Sequence, residues 1–217
     1  MASRQTRVSG IRRKPQQASS QERVNHILDV AEELFVAQGF GATSTNEIAK
    51  KAQVPIGSLY QFFSDKKAIV LLLMERYNRL LHERLALADN AELMQLSLPE
   101  YVSHLIDITS RFFDDHPGYH AIFMETQGSV PELRETEDAA DAQLIVDLAA
   151  SLAGRGIGDS KSQGSSPSTA DLELMALVLV KAITPLIWLS RLQEPEKRLR
   201  MVAEIKRLAL GYLSISS

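Results

Sequence analysis

The stretch TSTNEIAKKAQVPIGSLYQFFSDKK, from Thr43 to Lys67, leaves little freedom to the chain that carries it. Thr43 and Ser44 offer hydroxyl oxygens to the open N–H groups of a helix, so a helix starts here. Ile48, Ala49, Ala52 and Val54 then give that helix and the turn after it an inward side. Pro55 suits the first turn of a second helix, where its missing N–H costs nothing, and Leu59, Phe62 and Phe63 recur at the i, i+3, i+4 spacing of a buried stripe. Two short helices around a tight turn, followed by Lys66 and Lys67, make a helix-turn-helix. The outer face of the second helix is left to Ile56, Gly57, Ser58, Tyr60 and Gln61. These groups are small, hydroxylated or amide-bearing, and no carboxylate among them repels phosphate. Such a face suits a DNA major groove, about 12 Å wide, where Gln pairs bidentately with adenine and Ser serves donors or acceptors.

Taken in order, the motif has Gly39 and Phe40 at a helix end, then Thr43-Ser44, Ile48-Ala49, Gly57-Ser58-Leu59-Tyr60-x-x-Phe63 and a following lysine. In this it resembles the DNA-binding domain of the tetracycline-repressor (TetR) family of transcriptional regulators. The resemblance covers about the first third of the chain, and the remainder has a helical plan compatible with that family's ligand-binding domain. It implies a homodimer on a double-stranded DNA operator. The motif supports the positions of the DNA contacts, and side-chain chemistry divides their roles. Gln61 and Ser58, with Ile56, are expected to read base edges, while Thr43, Ser44, Tyr60, Lys66 and Lys67 hold phosphates; Thr45 and Gly57 complete the set of expected DNA-contact positions.

The expected architecture is all-α: a three-helix DNA-binding domain over residues 21–67, joined by a long helix to a helical effector-binding and dimerisation domain over 68–217. Val24, Ile27, Leu28, Ala31, Leu34 and Phe35 mark one face of a helix from about Glu22 to Gln38, and Gly39 supplies a left-handed stop. The long helix opens at Ser64 and runs to about Ala88, so its start lies beside the reader, where its N–H groups and Lys66 are placed to grip a phosphate. Further helical patterns run from Leu98 to Asp114, Pro117 to Thr126, Pro131 to Ala153, Pro167 to Gln193 and Glu196 to Ile215. The Gly- and Ser-rich GRGIGDSKSQGSSPST, residues 154–169, reads as a loop, more a surface linker than a lid.

Charge divides the same way. Residues 1–67 hold ten Lys/Arg against six Asp/Glu, a net +4, and the rest hold 14 against 21, a net −7, which together give the −3 of the whole chain. The basic end is the one that should meet a polyanion. Its first 20 residues carry Arg4, Arg7, Arg12, Arg13 and Lys14 with no acid and almost no apolar periodicity, so alone they are expected to be a disordered arm, either one that follows phosphates or a minor groove or a solvated tail that adds little.

The segment LELMALVLVKAITPLIWLSRL, Leu172 to Leu192, approaches the ~20 apolar residues that span a bilayer. Glu173, Lys181 and Pro185 argue against a membrane, and a helix apolar on most of its circumference is otherwise buried on several sides. With the last helix, which carries Leu199, Val202, Ile205, Leu208, Ala209 and Tyr212 at helical spacing, it is expected to form the homodimer interface.

Aromatic and sulfur-bearing side chains gather at Phe112, Phe113, His116, Tyr119, His120, Phe123 and Met124, and Met175 and Trp188 can face them from a later helix. They are candidates for an apolar pocket that takes an unidentified small-molecule effector, although any one of them serves equally as core. His116 and His120 have the spacing of helical metal ligands, but Pro117 makes His116 a cap or turn residue, so neither a metal nor any other cofactor is expected. The acidic run Glu132, Glu135, Glu137, Asp138 and Asp141 reads as a solvated helix face.

The sequence has no cysteine, which excludes disulfides, thiolate metal sites and cysteine nucleophiles and permits a reducing cytoplasm. It also has no glycine-rich phosphate loop after a strand, no HExxH and no GxSxG, so no catalytic residue is assigned. The expectation is a cytoplasmic, sequence-specific DNA-binding regulator, a repressor released from a near-palindromic operator by its effector. The rivals are a helical small-molecule binder or enzyme that keeps the fold without reading DNA, and an architectural module that contacts DNA without sequence preference.

Overall fold

The computed structural model describes residues 18–86, 93–126, 130–157 and 168–215. Most of the basic arm, including Arg4, Arg7, Arg12, Arg13 and Lys14, and residues 158–167 of the Gly/Ser-rich loop lie outside the described residues. Among the described residues there are nine α-helices, one short 3-10 turn and no strand. The helices are α1 (Ala18–Gln38), α2 (Thr45–Lys51), α3 (Ile56–Phe62), α4 (Lys66–Ala86), α5 (Leu98–Asp115), α6 (Pro117–Thr126), α7 (Glu132–Gly154), α8 (Thr169–Arg191) and α9 (Pro195–Ile215).

They fall into two compact units, the first from residues 1–78 and 116–137, the second from 79–115 and 138–217. In the first unit α1 buries Val24, Ile27, Leu28, Val30, Ala31 and Phe35. Facing side chains come from α2 (Ile48, Ala49), α3 (Leu59, Phe62), Phe63, and α4 (Ile69, Leu73), all at or near zero exposure. Each Leu, Ile or Phe removed from water in this way stabilises the unit by about 1.5–3 kcal/mol before the cost of ordering the chain.

The unit closes on α6, a helix that follows α5 in the chain and packs against α1. Gly118 on α6 comes so close to α1 and α4 that a Cβ there would lie 2.7 Å from the Tyr77 hydroxyl and 2.8 Å from Glu32 Oε1. Arg76 braces the same spot, donating to Asp29 Oδ1 at 2.5 Å and Glu32 Oε2 at 2.6 Å.

In the second unit α5, α8 and α9 pack on one another. Polar ties at its edges include Asp107 to Lys206 at 2.7 Å, Asp114 to Arg191 at 3.1 Å and Arg198 at 2.5 Å, and Asp141 to Lys181 at 2.5 Å. Arg155 donates to the Leu93 and Leu96 carbonyls at 2.5 and 2.8 Å and lies 3.7 Å from the Tyr101 ring centre, fixing the turn before α5. Helix α8 starts on a reciprocal cap in which Ser168 Oγ accepts from Asp171 N and Asp171 accepts from Ser168 N. It is long and apolar enough to cross a membrane by length and composition, and 28% of its apolar window is buried within the chain. Leu174, Leu177, Val178 and Leu189 on α8, with Leu192, Leu199 and Leu208 beyond it, remain exposed to solvent.

Candidate nucleic-acid interface

The reader is built by local chemistry. Gly39, at φ +88, ends α1 in a conformation that L side chains rarely adopt. After the turn that follows, Ser44 caps α2: its Oγ accepts from Glu47 N at 3.2 Å, while Glu47 Oε2 accepts from Ser44 N at 2.9 Å. The Ser44 N–H and hydroxyl, both donating to Glu47 Oε2 at 2.9 Å, hold the Glu47 carboxyl below its ordinary pKa. Gln53, at φ 55, makes the turn between the two helices, and Pro55, at φ −55, precedes the first residue of α3. Thr45 Oγ1 and the Tyr60 hydroxyl lie 3.1 Å apart and tie α2 to α3.

With Leu59 and Phe62 turned inward, α3 presents Ile56, Gly57, Tyr60 and Gln61 to solvent, with Ser58 half-buried. A Cβ built on Gly57 meets nothing within 4 Å. No part of the described chain needs a glycine there.

The phosphate candidates are placed differently from one another. Lys67 is exposed, and Ser44 and Thr45 sit at the surface end of α2. Thr43 is 2% exposed, its hydroxyl donating to the Gly39 carbonyl at 2.8 Å and accepting from Gln38 Nε2 at 3.2 Å. The Lys66 ammonium turns back into the chain, donating to the carbonyls of Phe40 and, at 2.7 Å, Thr43, and lying 4.2 Å from the Phe40 ring centre. The opening of α4 is capped by Asp65 Oδ1, which accepts from Ala68 N at 2.9 Å.

Across the same turn, Glu125 of α6 accepts from Phe40 N at 2.7 Å and Gly41 N at 3.0 Å. The bonds from Gly41 and Phe40 keep its carboxyl below the ordinary value. Glu125 was not among the residues singled out in the sequence, because its partners are 84 and 85 positions away.

The second unit contains a cavity of about 460 Å³. Leu81 and Leu85 of α4, Val102, Leu105 and Ile106 of α5, Leu144 and Leu148 of α7, and Leu179, Ile183 and Ile187 of α8 make its walls almost entirely aliphatic. Polar groups in the lining are the pair His82 and Asp147, 3.5 Å apart, the hydroxyl of Tyr101, and Thr109 and Thr184. Thr109 already donates to the Leu105 carbonyl at 2.9 Å, and Ser151 donates to the Tyr101 hydroxyl at 2.6 Å.

Residues 97–213, more than half of the chain, match the family model described as "Tetracyclin repressor-like, C-terminal domain", and residues 27–73 match "Bacterial regulatory proteins, tetR family". The chain belongs to the tetR family. It is a DNA-binding transcriptional regulator of the helix-turn-helix type. The HTH-type transcriptional repressor NemR of Escherichia coli is 37% identical over 60 residues, which cover 28% of this chain and 30% of that protein. The HTH-type transcriptional activator FasR of Mycolicibacterium smegmatis is 27% identical over 195 residues, 85% of this chain and 80% of that one. A TetR-family transcriptional regulator from Streptomyces coelicolor shares the fold at a TM-score of 0.62 and 23% identity, covering 90% of this chain and 97% of its own.

Within this tetR-family chain the aromatic candidates are dispersed. Phe112 and Phe113 are buried in the second unit, where Trp188 stacks on Phe113 at 3.8 Å between centres. Met175, on α8, is half-buried. His116, Tyr119, Phe123 and Met124 belong to the first unit. There Tyr77 packs edge-on to His116 and Tyr119, the Tyr119 hydroxyl donates to Glu137 at 3.1 Å, and Met124 is 57% exposed. The His120 side chain lies outside the described residues. None of the described ones among these side chains lines the 460 Å³ cavity, whose aliphatic walls carry no signal in the sequence that separates them from ordinary core.

Proposed function

We propose that this tetR-family protein is a cytoplasmic repressor that binds a near-palindromic operator as a homodimer and leaves it when an apolar effector enters the second unit. The carboxylate-free exposed face of α3, with a glycine that its own chain does not need, is the observation that carries the DNA reading. A glycine in a helix costs about 0.5–1 kcal/mol relative to alanine, so its presence is best explained by something outside the chain that comes close. In this reading Gln61, Ser58 and Ile56 meet base edges while Gly57 lets the groove approach. Ser44, Thr45, Tyr60 and Lys67 hold phosphates, and Lys66 and Thr43 act from behind by fixing the turn that precedes α2.

Exposed leucines and valine on α8, with Leu199 and Leu208 of α9, supply the face for a second copy. Two-fold symmetry then sets two readers about one DNA turn, ~34–36 Å, or a multiple of it, apart. The cavity's volume suits a drug-sized ligand, and its walls suit an aliphatic one with a single polar end directed to His82 and Asp147.

Selection of duplexes from a random library with the full-length protein tests the reading. The expected product is an inverted repeat, and Gln61→Ala should relax preference at one position per half-site by ~1–3 kcal/mol. Recovery of unrelated sequences with no shared half-site would refute it, and raised transcription of the bound genes on deletion of the protein would separate repression from activation.

A further inference from the structure

The turn from Gly39 to Thr43 is held from two sides by side chains far away in sequence. Its amides at Phe40 and Gly41 donate to the carboxylate of Glu125, on α6. Its carbonyls at Phe40 and Thr43 accept from the ammonium of Lys66, the first residue of α4. Glu125 stands so near the backbone that a Cβ on Gly39 would lie 2.9 Å from its Oε1. The left-handed φ of Gly39 and the seat of this carboxylate therefore require the same glycine. The turn leads directly to Ser44, the cap of α2, and Thr45 of that helix meets Tyr60 of α3. A displacement of the turn is a displacement of the start of α2, and α3 is tied to it.

Chain connectivity adds a second observation. Helix α5, whose Tyr101, Leu105 and Thr109 line the cavity, leads into α6 through His116. Helix α4, which lines the cavity at Leu81 and His82, begins at Lys66. Two covalent routes out of the cavity wall thus end on one turn, while a third runs through α7, which lines the cavity at Leu144 and Leu148 and begins at Glu132.

The geometry points to Glu125 as a positioning residue for DNA reading: its carboxylate sets the Gly39–Thr43 turn and, through it, the placement of α2 and α3. This goes beyond the assignment of groove contacts, since Glu125 carries a negative charge and is no partner for phosphate. Its removal makes two opposite predictions. If the carboxylate only sits near the DNA, losing it reduces repulsion and tightens binding to every duplex. If it positions the reader, binding to the preferred duplex weakens while binding to random duplex does not.

The test uses the full-length protein, the duplex recovered by wild-type selection and a random-sequence duplex, with E125A and E125Q compared to wild type. For E125A the selected duplex should bind about tenfold more weakly, with random duplex unchanged or tighter. Amide hydrogen exchange at Phe40 and Gly41 should quicken about tenfold in E125A and less in E125Q, which keeps one accepting oxygen, while Ile27 and Leu28 in the middle of α1 keep their rates. Unchanged exchange at Phe40 and Gly41 would overturn the proposal, and so would faster exchange with the selected-to-random ratio intact. A general loss of protection reaching Ile27 and Leu28 would also overturn it, by making the role merely structural. If E125A does not fold, E125Q carries the same comparison. A wild type that recovers no preferred duplex would sink the operator reading instead, and the exchange rates would still decide whether Glu125 holds the turn.

Discussion

Gly57 separates what the fold needs from what DNA needs. Most glycines that matter to a fold sit at a positive φ or where neighbouring groups leave no room for a Cβ, as Gly39 and Gly118 do here. Gly57 has neither excuse, so alanine at that position should leave the protein equally stable or raise its stability by up to about 0.5–1 kcal/mol. The same methyl group stands on the face proposed to enter the groove, so affinity for the selected duplex should fall. Thermal denaturation and a binding titration on Gly57→Ala check the two signs together. A drop in both would place Gly57 among residues the fold requires, and no drop in either would remove α3 from the groove. Lys66 teaches the complementary lesson. From sequence it is a cation next to a reader, yet its ammonium already satisfies carbonyls within its own unit. A lysine's position on the chain gives its charge, whereas the neighbours in space decide what that charge does.

At the scale of elements, the helices followed from the sequence because their signals are local: the Ser44 cap, Pro55, the stop at Gly39, and the repeat of Leu59, Phe62 and Phe63 each act within one or two turns. What could not be read is every relation between elements distant in the chain. The seating of α6 against α1 is one such relation, the hold of Glu125 on the Phe40 amide another, and the cavity a third, since its leucines and isoleucines have the same periodicity as core. Helix α8 stands between these cases. Its apolar composition was plain, but only the structure separates the buried Leu172, Ala176, Leu179 and Val180 from the exposed Leu174, Leu177 and Val178. If that second face is the dimer contact, Leu177→Asp places a charge where a partner helix must pack, at a cost of several kcal/mol in an apolar interface. Sedimentation should show the variant as a monomer with helical content intact, and operator affinity should fall with the loss of the second reader. A variant that remains dimeric would move the interface elsewhere.

For the whole molecule the question is how occupancy of one unit can alter affinity in the other. A ligand shifts DNA binding only by the difference in its affinity for two arrangements of the protein, and a ~100-fold loss of operator affinity needs ~2.7 kcal/mol of such difference. The aliphatic cavity is a reasonable source of this energy, since ~0.8 kcal/mol accompanies each CH₂ group buried and only a few need be better buried in one arrangement. Helix α4 belongs to both units, and α5 continues into α6, so a change in the cavity wall has continuous backbone through which to act. Replacing Thr109 by Trp should therefore occupy the cavity without touching α3. The variant is expected to lose binding of an environment-sensitive apolar dye that the wild type takes up, and to keep its preference for the selected duplex. Its operator affinity should no longer respond to aliphatic compounds that displace the dye from wild type. If Thr109→Trp excludes the dye and those compounds still release the protein from DNA, the effector acts at another site. Should the dye bind the variant as before, this cavity is not where apolar ligands go.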